Sequence, residues 1–245
     1  LKKLVAYITS ALPDREFTVD LALAMKENGV DSIELGIPFS DPVADGPVIE
    51  EANVRALQNG FKIADTFYIS EKIAKTVDTL WMGYFNPFYH KGMDYFLDEA
   101  KKLDVSGFII PDLPYEEALT YRAMFDEKEI ALIDFVAPTD SEERIKTIVK
   151  DSKKFIYLVA YTGITGSDKK EDVSPIVENI KKYTDTPVYI GFGVNEKTAK
   201  EKAAYCDGVI VGSAFVKILL SDLTSKEKID KICELSGKIK DLINS

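Results

Sequence analysis

One pattern recurs along the 245 residues: a short apolar run rich in β-branched and aromatic residues, a turn, then an amphipathic helical stretch. The runs cover residues 4–9, 32–37, 79–84, 107–110, 131–136, 155–159, 187–191 and 208–211. Between them lie stretches such as Phe17 to Met25, apolar at three- and four-residue steps, with Asn28 and Gly29 as a stop signal. Residues 93–103 repeat that helical pattern, and a helix is expected to begin near Pro47. Near-continuous apolar strands alternating with helices mean a parallel sheet buried on both faces. Eight units match a closed (β/α)8 barrel of ~250 residues. A doubly wound open sheet shares this periodicity, but the count favours the barrel. The expected fold is therefore α/β, a TIM barrel forming one domain over residues 1–245. No low-complexity tract or Pro/Ser linker divides the chain.

Composition removes several function classes. With 31 basic and 41 acidic side chains the formal net charge is −10, so the surface repels nucleic-acid phosphates. Cys206 and Cys233 are too few and too far apart for a disulfide framework or a paired-cysteine metal site. His90 is the only histidine, which argues against histidine-rich zinc sites and Ser-His-Asp chemistry. No apolar run approaches the ~18–20 residues of a membrane span, and the start of the sequence lacks signal-peptide character. A reducing cytoplasm and a small-molecule ligand, with no metal, are expected.

In a barrel the chemistry sits where strands end and the following loops begin. Glu34 lies inside the second run, so its carboxyl faces the interior or its mouth. It is either bound to a neighbouring backbone group or lysine, or held near neutrality by desolvation and able to exchange a proton. The stiff loop after it carries Asp41, suited to an Asx turn, and Asp45. Asp45 is either a helix N-cap or a second carboxylate aimed across the mouth at Glu34. Glycines gather at three later strand ends: residues 162–166, residues 191–193, and Gly212 before a short helix over 215–220. Main-chain amides there suit a phosphate. Residues 162–172 form either a solvated loop or a lid. Tyr7, Tyr84, Phe85, Tyr157 and Phe192 are core residues or the lining of an aromatic pocket. Buried hydrogen bonding is expected for Asn86, Asp112 and Asp134, and an exposed loop position for His90.

These residues, in this order, resemble the α-subunit family of tryptophan synthase. The string IELGIPFSDPVADGP over residues 33–47 carries most of the likeness. YFNP at 84–87, PDLP at 111–114, VAPT at 136–139, GITG at 163–166, GFGV at 191–194 and VGSA at 211–214 support it. The resemblance implies retro-aldol cleavage of indole-3-glycerol phosphate to indole and glyceraldehyde 3-phosphate. It makes Glu34 the general acid/base and Asp45 the second carboxylate. It places Tyr157 beside the glutamate, Tyr7 and Phe192 in the pocket wall, and Thr165 on the lid. Gly166, Gly193, Gly212 and Ser213 become the phosphate-binding positions. It further implies an α-β-β-α complex in which pyridoxal phosphate belongs to the β subunit, and no cofactor in this chain.

Three departures stand out. The segment after the first strand reads TSALPD, where the family usually has Gly-Asp before the proline, so a carboxylate is lost or displaced to Asp14. Tyr161 occupies a position that is often arginine, so lid closure is expected to differ. The first strand starts almost at Leu1, where the family usually carries a preceding helix that covers the barrel floor. Two rival functions remain from the residues alone. A sugar-phosphate isomerase or epimerase would share the glycine clusters but would not need the 39–47 string or an aromatic pocket. A non-catalytic activator of a β subunit would need neither Glu34 nor Asp45.

Overall fold

The computed structural model describes residues 1–159 and 172–245. Within them the apolar runs become parallel strands: β1 Lys3–Thr9, β2 Ser32–Gly36, β3 Asp78–Met82, β4 Gly107–Ile109, β5 Ala131–Leu132, β6 Asp134–Val136, β7 Ile156–Val159, β8 Val188–Gly191 and β9 Gly208–Val211. They pair in the order β5-β4-β3-β2-β1-β9-β8-β7-β6. The ninth segment arises because the fifth run is divided at Ile133. Its first half pairs with β4, through Gly107↔Ala131 and Phe108↔Leu132. Its second half pairs with β7, from Asp134↔Ile156 to Val136↔Leu158. The covalent chain between the halves, with the Ile133 amide still bonded to Phe108 O at 2.9 Å, completes the ring. The eight expected units thus form a nearly closed barrel of nine strand segments.

Both strand faces are apolar for the reason expected of a helix-covered parallel sheet. In β1 every residue beyond Lys3 is buried. Tyr7 points into the barrel, so the alternating residues Leu4, Ala6 and Ile8 face the helices. On one flank Trp81 sits among Phe67, Phe96 and Phe108, with its indole N–H donating to Ser70 Oγ at 2.8 Å. That hydrogen bond satisfies a donor whose burial would otherwise be costly.

The helices of interest follow from local signals. Helix α1, Arg15–Glu27, extends the 17–25 pattern by two residues at each end. Asp14 caps it by accepting from Phe17 N at 2.9 Å, a structural role for that carboxylate. Helix α2, Pro47–Gln58, begins with its proline at the first turn, and Gly46 rather than Asp45 is its N-cap. Helix α3 spans Ile63–Ile73. Helix α4, Phe85–Lys91, replaces the loop expected around His90, which is nonetheless exposed. Its first amide is satisfied by Asp112 Oδ1 at 2.8 Å. Asn86 is exposed on that helix and Asp112 is exposed as well, contrary to the buried role expected of both. Asp134 is buried, ion-paired with Arg122 of the helix over Tyr115–Lys128 and bonded to Ser152 at 2.8 Å. The segment expected from 215 starts earlier, as a helix over Ser213–Leu219.

No described helix is long and apolar enough to cross a membrane. Cys206 and Cys233 are separate, buried thiols.

Candidate active site

Glu34 is 3% exposed in β2, in register with Tyr7 of β1. Its carboxyl meets no hydrogen-bond donor among the described residues. Burial therefore dominates, and together with the nearby Asp45 charge pushes its pKa up to about 8. Among the described residues no lysine or backbone amide ties it down, against the alternative reading of an interior glutamate held in that way. Near pH 7 the group is mostly protonated.

Asp45 is half-buried and directly precedes the N-cap of α2. Burial raises its pKa to about 6, against the opposing effect of hydrogen bonds from Tyr84 and Asn53. The Asn53 bond runs from Nδ2 to Asp45 Oδ2 at 3.2 Å. Tyr84 Oη also accepts from Ala44 N at 3.1 Å, and its ring stacks on Phe39 with centroids 5.4 Å apart. One tyrosine thus ties down the loop over 39–45 and orients its carboxylate.

The two carboxyls converge on one cavity of about 760 Å³ at the C-terminal ends of the strands. Its wall includes Tyr7, Tyr157, Phe192, Gly193, Gly212 and Ser213, the described positions singled out from sequence. Phe135 stacks on Tyr157 at 4.9 Å, and Phe192 meets the same ring edge-on at 6.1 Å. Burial drives the hydroxyl pKa values of Tyr7 and Tyr157 well above the usual tyrosine value. Both remain neutral hydrogen-bonding groups. Thr165, Gly166, Tyr161 and nearly all of the candidate lid lie outside the described residues.

Two glycines make room for aromatic rings, and for Gly191 this differs from the phosphate-binding role expected of its cluster. A Cβ on Gly36 would lie 2.3 Å from Tyr7 Oη, and one on Gly191 would lie 2.3 Å from Tyr157 Oη. The missing side chains let each tyrosine lie across the end of the neighbouring strand. Gly191 thus makes room for an aromatic ring, while Gly193, at φ 66, supplies a left-handed turn against the cavity. Phe85 stays out of the cavity wall, packing against Tyr89 and Tyr121.

Sequence reasoning passed over Asn53, Phe135 and Lys217. Lys217 lines the cavity from the turn of helix after Ser213. Asn53 left a signal: it falls between Ala52 and Ala56 on the buried face of α2, where a polar side chain needs a partner. Among the described residues no cluster of three or more His, Cys, Asp or Glu is placed to hold a metal ion.

A sequence model described as tryptophan synthase alpha chain matches residues 1–244. The chain belongs to the tryptophan synthase alpha chain family. It is 56% identical to the alpha chain of Wolinella succinogenes, over 100% of this chain and 97% of that one. Among solved structures, tryptophan synthase subunit alpha from Campylobacter jejuni superposes with a TM-score of 0.86 at 32% identity, covering 97% of this chain and 95% of that one. The tryptophan synthase α2β2 complex from Pyrococcus furiosus gives a TM-score of 0.84 at 32% identity, with 98% and 99% covered.

Proposed function

We propose that this alpha chain cleaves indole-3-glycerol phosphate to indole and glyceraldehyde 3-phosphate, with Glu34 moving the protons and Asp45 steadying the charge. One observation carries this reading. Two carboxyls with different proton affinities share a single cavity walled by aromatic rings.

The chemistry follows from the bond to be broken. Indole leaves as carbon only after C3 is protonated, which moves positive charge onto the ring nitrogen. Glu34, protonated near pH 7, supplies that proton. Asp45, mostly ionised, accepts a hydrogen bond from the indole N–H and is strongest when charge develops there. The hydroxyl on the adjacent glycerol carbon then gives its proton to the Glu34 carboxylate. As the C–C bond breaks, its electrons return to the ring. An aldehyde and neutral indole form, and Glu34 regains its proton. Tyr7, Tyr157 and Phe192 provide a flat apolar setting for the ring. Gly193, Gly212 and Ser213 offer main-chain N–H groups to the phosphate. Gly166 and Thr165 join the phosphate site and lid by family likeness alone.

Within this reading residues 1–245 are one domain, the enzyme works in the cytoplasm, and indole passes to a β partner in an α-β-β-α complex. Pyridoxal phosphate belongs to that partner, and every step above uses side chains of this chain. Incubating the purified chain with indole-3-glycerol phosphate, alone and with a β chain, should release indole in both mixtures, faster in the second. No indole in either would overturn the proposal.

A further inference from the structure

We infer that Thr198 and Lys202, which stand behind the cavity wall, are positioning residues that aim two main-chain N–H groups at the substrate's phosphate. The inference rests on the phosphate end of the function proposed above and deepens it. Phe192 and Gly193 form a consecutive left-handed pair, with φ of 67 and 66. Glycine adopts this conformation freely, whereas phenylalanine does so only under constraint. The constraint comes from two side chains at the start and end of the same short segment. Lys202 Nζ donates to Phe192 O at 2.7 Å, and Thr198 Oγ1 donates to Gly193 O at 2.8 Å. The Thr198 hydroxyl is itself fixed, since it accepts from Asn195 N at 3.0 Å.

The direction of the amides follows from peptide geometry. In a trans peptide unit the carbonyl and the following N–H point opposite ways. With Phe192 C=O held toward Lys202, the Gly193 N–H turns away from it. With Gly193 C=O held toward Thr198, the Val194 N–H turns the same way. Gly193 and Val194 both line the cavity, as do Gly212 and Ser213. Two successive N–H groups facing one space form an anion-binding concavity. The ammonium of Lys202 also polarises the peptide whose N–H faces the cavity, strengthening it as a donor. Neither side chain has to touch the substrate.

Inorganic phosphate is the probe for this end of the cavity, and indole the probe for the aromatic end. Both are tested as inhibitors of indole-3-glycerol phosphate cleavage. Lys202→Met and Thr198→Val should each raise the phosphate inhibition constant and KM by about five- to tenfold, the loss of one neutral or charge-assisted hydrogen bond. The value of kcat should stay within about twofold, the mark of lost uniform binding. Inhibition by indole should not move, and Lys202→Arg should restore phosphate affinity. Should Lys202→Met fail to fold, Thr198→Val carries the test with the same threshold. Folded variants that keep wild-type phosphate inhibition would overturn this inference and leave the proposed reaction standing. A wild-type chain that releases no indole would overturn the reaction instead; phosphate-induced rises in Tm for wild type and variants would then decide the positioning role.

Discussion

The two ends of the barrel treat acids that are partly or fully buried in opposite ways. At the floor, Asp78 at the start of β3 accepts from Ser32 and Ser106 at 2.6 Å each, and from Lys154 at 2.9 Å. Lys154 comes from the segment entering β7, across the barrel in the strand order. Asp31 likewise takes Leu4 N, Lys3 and Lys240. Burial works to raise both carboxyl pKa values, but lysines and hydrogen bonds outweigh it and leave both lowered. At the mouth, burial wins. Among the described residues Asp45 faces only neutral donors and Glu34 faces none, so both are raised. The same interior therefore produces fixed anions at one end and exchangeable protons at the other. For these four acids the difference is a lysine within hydrogen-bond reach; at Asp134 burial outweighs even the Arg122 pair and raises the carboxyl. A barrel that places stability below and chemistry above can vary one without the other.

The sharpest way to break this contrast is to remove one acid from each end. Glu34→Gln keeps the shape and hydrogen-bonding size but cannot shuttle a proton. Indole release should fall by about 10²–10⁴-fold, the usual worth of a positioned acid/base. Asp78→Asn should leave kcat within about twofold. It removes the counter-charge of Lys154, and because that pair is about one-third exposed the cost is small, on the order of 1–2 kcal/mol. A comparable loss of rate in both variants would erase the distinction between the ends.

Acidity separates them next. A carboxyl whose folded pKa is raised stabilises the fold below its ordinary pKa and loses that contribution as pH climbs to the folded value. Glu34 should therefore make wild type progressively less stable than Glu34→Gln between about 4.5 and about 8, with a plateau beyond. The floor acids run the other way. The advantage of wild type over Asp78→Asn should be complete near neutrality and shrink as pH drops below the ordinary carboxylate pKa of 3.8. In the rate, kcat/KM should rise with an apparent pKa of about 6 and fall with one of about 8, values that belong to the interacting pair. Melting temperatures and initial rates across the pH range check both signs.

Much of this was legible from the residues, for physical reasons that also mark where legibility ends. Strands buried on two faces cannot hide, so every apolar run reappears as a strand. The division at Ile133 could not be read, because exchanging one neighbouring strand for another leaves no mark on residue type. Helix α4 was missed since its first amide is satisfied by Asp112, a contact 27 residues away. Glu34 and Asp45 stood out as carboxyls at a strand end within a family-specific string. The glycines were harder to assign. Gly191 and Gly193 look alike in sequence, yet one accommodates Tyr157 and the other turns the backbone. Only the positions of neighbouring atoms separate those roles.

The smallest expected effect sharpens the contrast most finely, because it concerns a neutral donor rather than a charge. Asn53 is 2% exposed, gives Nδ2 to Asp45, and has no partner for its own Oδ1 among the described residues. Asn53→Ala removes one hydrogen bond to a carboxylate, and with it one buried acceptor that has no donor. These changes oppose one another in stability, so Tm should move little. They do not oppose one another in acidity. Without the amide, Asp45 loses part of what holds its pKa down, and the acid limb of kcat/KM should move up by about 0.5–1 unit. At pH 6 the variant should run several-fold slower than wild type, and at pH 8 the two should nearly agree. A uniform loss across the whole pH range would instead mean that Asn53 shapes the cavity without tuning the acid, and the proton affinity of Asp45 would then be set by burial, Tyr84 and the nearby Glu50 charge.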